Sequence, residues 1–124
     1  MKPIPLSTNK NVFWKRGSTW RFLIRRGTLL QPIDITDCVP RSMFRIGSSQ
    51  LDGQVILTLT SSVGLSIPTP MSGATEYLLI PLQTVLFPAN EKVYFDLELT
   101  SLDGTVWQSP TYFLTAIEEG TRDV

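Results

Sequence analysis

Two carboxylates, Asp96 and Glu98, stand two residues apart in Val93-Tyr94-Phe95-Asp96-Leu97-Glu98-Leu99. In an extended strand that spacing puts both on one face, where a pair of acid and base groups could hydrolyse a glycoside. The surrounding residues favour a plainer role. Val93, Phe95, Leu97 and Leu99 alternate with Tyr94, Asp96, Glu98 and Thr100, so the carboxylates read as the wet side of a half-buried strand.

Other chemistry finds little to build on. The single cysteine, Cys38, excludes an intrachain disulfide, and with no histidine in the chain it has no imidazole to activate it. Cys38 reads as a small apolar filler. A zinc site lacks ligands, and Asp34, Asp37 and Asp52 are only scattered candidates for calcium. We therefore expect no cofactor, no resident metal and no enzymatic activity. Gly47, Gly53, Gly64, Gly73 and Gly104 are isolated, unlike a phosphate-cradling loop. Gly53 and Gly104 each follow an aspartate, which suits tight hairpin turns with both central residues at positive φ.

Charge narrows the partners. Lys plus Arg and Asp plus Glu balance at 11 each, without the basic excess of a nonspecific nucleic-acid binder. Trp14, Arg16, Trp20, Arg21, Phe22 and Arg25 mix aromatic and basic side chains as single-strand platforms do. Strand alternation, however, sets Trp20 and Phe22 opposite Arg21, so no direct nucleic-acid contact is expected. Basic residues gather early (Lys10, Lys15, Arg16, Arg21, Arg25, Arg26) and acidic ones late (Glu118, Glu119, Asp123). Opposed ends of this kind either steer ordered stacking of copies or form plain solvated surface.

The elements that would position these residues are short strands. Trp20, Phe22 and Ile24 share one face of Thr19–Arg25, bracketed by Gly17 and Gly27. Further strands are expected over Cys38–Ile46, Gln54–Thr60 (Val55, Leu57 and Leu59 inward), Leu65–Ile67, Glu76–Ile80 and Tyr112–Ile117. Asp34 and Thr36 are placed to tie a turn, and Gln83–Leu86, between prolines, has room for one helical turn or another short strand. Val93–Thr100, the Asp103-Gly104 turn and Val106-Trp107 form a hairpin. About seven to nine short strands separated by turn signals imply an all-β sandwich or barrel. One domain over 12–117 is expected, with a flexible N-terminal arm at 1–11 and a polar tail at 118–124. Met1-Lys2-Pro3-Ile4-Pro5 has no apolar signal region behind it, and no stretch approaches the roughly 20 apolar residues of a membrane helix. We expect no membrane partner. Beyond residue 15 only Lys92 supplies a lysine to guard strand edges, which points to edges covered by neighbouring copies.

The order of motifs resembles a known family. Gly17-Ser18-Thr19-Trp20-Arg21-Phe22, Pro32-Ile33-Asp34-Ile35-Thr36-Asp37, Met43-Phe44-Arg45-Ile46, Val55–Ser61 with Gly64-Leu65-Ser66-Ile67, and Val93–Leu99 with Asp103-Gly104-Thr105-Val106 are similar to successive elements of small virion domains of tailed bacteriophages. The family is similar to the N-terminal domain of baseplate upper proteins and to related short virion proteins. Asp37 departs from the glycine usual there, and the last strand, Tyr112–Thr115, lacks a preceding glycine. The resemblance implies an immunoglobulin-like antiparallel β-sandwich. It also implies a structural role in the virion: a tail, baseplate or fibre-attachment protein, or a capsid cement protein, assembled in the host cytoplasm in multiple copies against other virion proteins. Trp14, Arg16, Arg21, Arg25, Arg26, Tyr94, Trp107 and Tyr112 are the candidate partner contacts, with Tyr94, Trp107 and Tyr112 expected to face outward. A carbohydrate-binding module is the competing reading, and it needs Trp14, Trp20 and Trp107 along one exposed strip.

Overall fold

In a computed structural model of the chain, residues 4–6, 12–47 and 53–118 are described. Lys10, Asp52, Glu119, Asp123 and most of the expected arm and tail lie outside them. The strands are β1 (Ile4–Pro5), β2 (Val12–Lys15), β3 (Trp20–Arg25), β4 (Val39–Ile46), β5 (Gln54–Thr60), β6 (Leu65–Ser66), β7 (Ala74–Leu79), β8 (Lys92–Thr100), β9 (Val106–Gln108) and β10 (Tyr112–Ile117). A 3-10 turn at Pro70–Ser72 and one helical turn, α1 (Pro81–Thr84), complete them. No helix among the described residues is long and apolar enough to cross a membrane.

Two sheets face each other in an open sandwich. The small sheet has the order β1–β3–β7–β6; the large one runs β2–β10–β8–β4–β5, with β9 also on β8. The all-β expectation therefore holds, with ten strands among the described residues where about seven to nine were read and with mixed sheets where antiparallel ones were expected. β1 runs parallel to β3 and β2 parallel to β10. Alternation reports which side a residue faces and says nothing about the direction of its neighbour, so parallel edges could not be read. Within the expected arm, Ile4–Pro5 pairs with Phe22–Leu23, and the Leu6 side chain packs against the core.

The core follows from period two. β3 contributes Trp20, Phe22 and Ile24, and β8 contributes Val93, Phe95, Leu97 and Leu99, all buried. Between them lies an aromatic layer: Phe22 stacks on Tyr77 at 4.7 Å, Phe44 on Phe95 at 4.5 Å, and Phe87 meets Trp20 edge-on at 4.8 Å. Such pairs add to the area they bury and fix its geometry. Cys38 is half-buried against this core.

Two local expectations change. Val55, read as inward, is 41% exposed, because a β-bulge skips Ile56: Phe44 pairs with Leu57, but Arg45 pairs with Val55. The extra residue turns Val55 outward while Ile56 and Leu57 both reach the core. The Asp103-Gly104 turn has only Gly104 at positive φ, at 89°. Ser101 O accepts the Gly104 N–H at 3.0 Å and the Ser101 N–H reaches Thr105 O at 2.8 Å, a type I turn closed by a glycine bulge. Asp34 behaves as read: its Oδ1 accepts the Thr36 N–H at 2.9 Å. Asp37, at the position where the resembling family carries glycine, takes φ 66°.

Candidate functional site

The chemistry-bearing side chains converge on the outer face of the large sheet. Antiparallel β4 and β8 place Arg41 opposite Glu98, Met43 opposite Asp96 and Arg45 opposite Tyr94. Since inward positions hold Ser42, Phe44, Phe95 and Leu97, these six all face out. Arg41, Met43, Arg45, Asp96, Glu98 and Gln108 line a groove of about 240 Å³. A column of guanidinium groups on β4 thus runs beside a column of carboxylates on β8.

Among the described residues none of these four charges is in an ion pair. Among the described residues, ion pairs within 4.0 Å are Arg16–Glu118 and Arg21–Glu76, neither in the groove. Arg41 and Arg45 instead lean on the Met43 thioether, at 3.7 and 3.9 Å from Sδ. Arg45 Nε is buried without a hydrogen-bond partner. Burial raises the Asp96 carboxyl above its ordinary range; Arg45 pulls it back, and Glu98 adds to the rise. Asp96 and Glu98 do share a face, as the sequence suggests, but each stands beside a guanidinium in a groove open to solvent. Such a lining offers donors and acceptors of both signs, suited to recognising a polar surface. Among the described residues no group of three or more Cys, Asp or Glu converges as a metal site.

The expected partner contacts scatter. Arg16 is half-buried and tied to the fold: its Nε donates to Phe87 O at 2.7 Å, one terminal nitrogen to Val85 O at 2.8 Å, and the other meets Glu118 at 3.2 Å. That pair joins the early basic and late acidic segments within one chain. Arg21 lies 3.9 Å from Glu76 on the outer face of the small sheet, and Arg25 donates to Ser72 O at 2.8 Å. Arg26 sits over the Trp107 ring at 5.1 Å. Trp107 is not outward: it lies opposite buried Leu99 and packs against the core at the sandwich margin. Tyr112 is buried as well, 7% exposed and stacked on Phe95, because it opens β10 on the inward parity of Leu114. Of the three aromatics expected outside, Tyr94 alone is on the outer face, half-buried beside Phe113. Trp14 faces inward, 5.9 Å from Trp20 and 5.8 Å from Phe22. Trp14, Trp20 and Trp107 therefore make no exposed strip for a sugar.

Sequence reasoning missed the exposed apolar residues. Leu29 and Leu30 are 76% and 92% exposed at the tip of a turn closed by the Thr28 N–H on Gln31 O. Exposed Ile33 and Met71 lie at the same end of the small sheet, where Gly73 packs between Arg26 and Ile33. At the opposite end, Ile80, Leu82, Val85 and Leu86 are exposed around α1. The available signal was two consecutive leucines inside a Gly27–Pro32 turn, where both cannot point inward. Compared with known proteins, the chain matches no family model and no curated protein sequence.

Proposed function

We propose that the chain is a non-enzymatic assembly module that works by binding other protein surfaces within a bacteriophage particle, at a tail, baseplate or fibre-attachment position. The observation that carries this reading is the concentration of exposed large apolar side chains at the two ends of the small sheet, Leu29, Leu30 and Met71 at one and Leu82, Val85 and Leu86 at the other. Exposed large apolar side chains gathered at one end of a sheet fit protein contacts. The two-sheet sandwich supports an immunoglobulin-like organisation, and the left-handed backbone at Asp37 supports the match of its turn to the glycine of the resembling virion domains. The phage setting rests on the order of the sequence motifs.

Incorporation tests the proposal. Particles purified from lysing cultures that carry the gene are expected to contain the chain in a fixed ratio to a tail or baseplate protein, measured by quantitative mass spectrometry. A fixed ratio to the capsid protein would move it to a cement role. A chain abundant in the lysate and absent from particles overturns the reading.

A further inference from the structure

The groove on the large sheet has a property that its lining alone does not explain: its charges are arranged in two columns of opposite sign, and none is in an ion pair among the described residues. Arg41 and Arg45 stand on β4; Asp96 and Glu98 stand on the adjacent β8, with Arg41 level with Glu98 and Met43 level with Asp96. We propose that this face is where two copies of the chain meet, sheet against sheet, about a two-fold axis that lies between β4 and β8 and runs parallel to them. The proposal rests on the reading that copies of this chain assemble, and it names the partner of the charged face as a second copy.

The geometry selects that axis. Rotation by half a turn about a line between the two strands carries β4 of one copy over β8 of the other and leaves the level along the strand unchanged. Arg41 then faces the partner's Glu98, the partner's Arg41 faces Glu98, and Arg45 meets the partner's Tyr94 next to the partner's Asp96. A two-fold axis across the strands would instead set guanidinium over guanidinium and carboxylate over carboxylate. The first arrangement is self-complementary, as an isologous interface must be. It is also the aligned packing that twisted sheets adopt face to face.

Three features of the isolated chain fit a face awaiting its partner. The guanidinium groups of Arg41 and Arg45 are parked on Met43 Sδ, although Asp96 and Glu98 stand on the neighbouring strand. Arg45 Nε is already stripped of water without gaining a bond. Asp96 has likewise lost part of its hydration, so pairing across the interface adds less desolvation than it would from open solvent. Tyr94 and Phe113 beside the groove supply an aromatic margin, and Gln108 opposite Glu98 supplies an amide. Alternating signs also disfavour a purely acidic or purely basic partner, which would meet repulsion from one of the two columns.

The test is a charge exchange read by sedimentation equilibrium of the full chain. The wild-type chain is expected to show a monomer–dimer equilibrium that weakens as salt is added, because exposed pairs are screened. Arg41→Glu alone and Glu98→Arg alone each place like charges face to face, and each is expected to weaken the dimer about tenfold or more. Mixing the two single variants restores opposite signs at both contacts and is expected to give a heterodimer. The double variant R41E/E98R is expected to dimerise by itself. Circular dichroism checks that each variant keeps its sheet structure. A wild-type chain monomeric at every concentration overturns the pairing. So does a dimer indifferent to salt, a dimer that survives Arg41→Glu unchanged, or single variants that ignore each other when mixed. The salt series needs no variant, so the proposal is tested even where a substituted chain fails to fold. A monomeric chain that still enters particles removes this pairing and leaves the assembly role. A chain that dimerises as described but is absent from particles removes the assembly role and leaves the pairing.

Discussion

The Tyr77 hydroxyl donates to Ser42 Oγ at 2.9 Å through the middle of the core, joining the small sheet to the large one. Ser42 Oγ in turn donates to the Asp96 carbonyl at 2.7 Å, so a polar chain runs from β7 through β4 to β8. Both side chains are almost wholly enclosed. The backbone of the outer-face residue Asp96 is therefore anchored from behind by the Ser42 hydroxyl, which is itself held by a bond across the sandwich.

This chain predicts an asymmetry. Ser42→Ala leaves the Tyr77 hydroxyl buried without a partner and is expected to cost about 1–3 kcal/mol, whereas Tyr77→Phe removes one bond and is expected to cost about 1 kcal/mol. The double variant should lie close to Tyr77→Phe alone, in urea unfolding. Burial also drives the Tyr77 hydroxyl far above its ordinary value. A raised acid of this type leaves stability intact below the unfolded tyrosine value of about 10 and withdraws it as pH rises above that. Tyr77→Phe should flatten the alkaline loss of stability.

Adjacent positions on β8 should respond oppositely. Phe95→Ala removes a core ring packed on Phe44 and is expected to cost about 3–5 kcal/mol. Asp96→Asn is expected to be neutral or slightly stabilising near neutral pH. The carboxyl is raised in the folded state by burial, so its ionised form opposes folding above the ordinary carboxylate value. Any gain should vanish as pH falls below about 4, where the wild-type group is protonated in both states. Urea midpoints at two pH values check this, and a large loss at Asp96→Asn would contradict it.

Arg16 should behave as a structural residue. Arg16→Ala loses two hydrogen bonds from a charged donor to the carbonyls of Val85 and Phe87 and is expected to cost about 2 kcal/mol. Glu118→Gln, which touches only the exposed end of the same side chain, is expected to cost under about 1 kcal/mol. Equal effects in thermal unfolding would show that the ion pair rather than the carbonyl bonds carries Arg16.

Two glycines with similar backbone angles should separate by their surroundings. At Gly73, φ is 75° and a Cβ would collide with the carbonyl oxygens of Arg26 and Ile33. Gly104 has φ 89° with nothing within 4 Å. Gly104→Ala is expected to cost about 1–2 kcal/mol for the left-handed backbone alone, and Gly73→Ala distinctly more, because backbone must move as well. Comparing the two unfolding midpoints checks the difference.

Residue order alone was enough for the strands of the core. Trp20, Phe22 and Ile24, and Val93, Phe95, Leu97 and Leu99, alternate so regularly that their inward side follows from the pleat. The paired faces of Asp96 and Glu98 follow in the same way, as does the Asp34–Thr36 turn, since these depend on neighbours a few residues away. What could not be read depends on contacts between residues far apart in the chain. The bulge that turned Val55 outward is a mismatch between β5 and β4, and the parallel edges β1 and β2 depend on strands met elsewhere in the fold. Trp107 came to pack against the core because β9 pairs with β8 and sets it opposite Leu99. Arg41 and Arg45 came to stand beside Asp96 and Glu98 only when β4 paired with β8 across some fifty residues of chain. Periodicity assigns a side chain to a face; pairing between distant strands determines which other side chains share that face, and the charged groove is a product of that pairing.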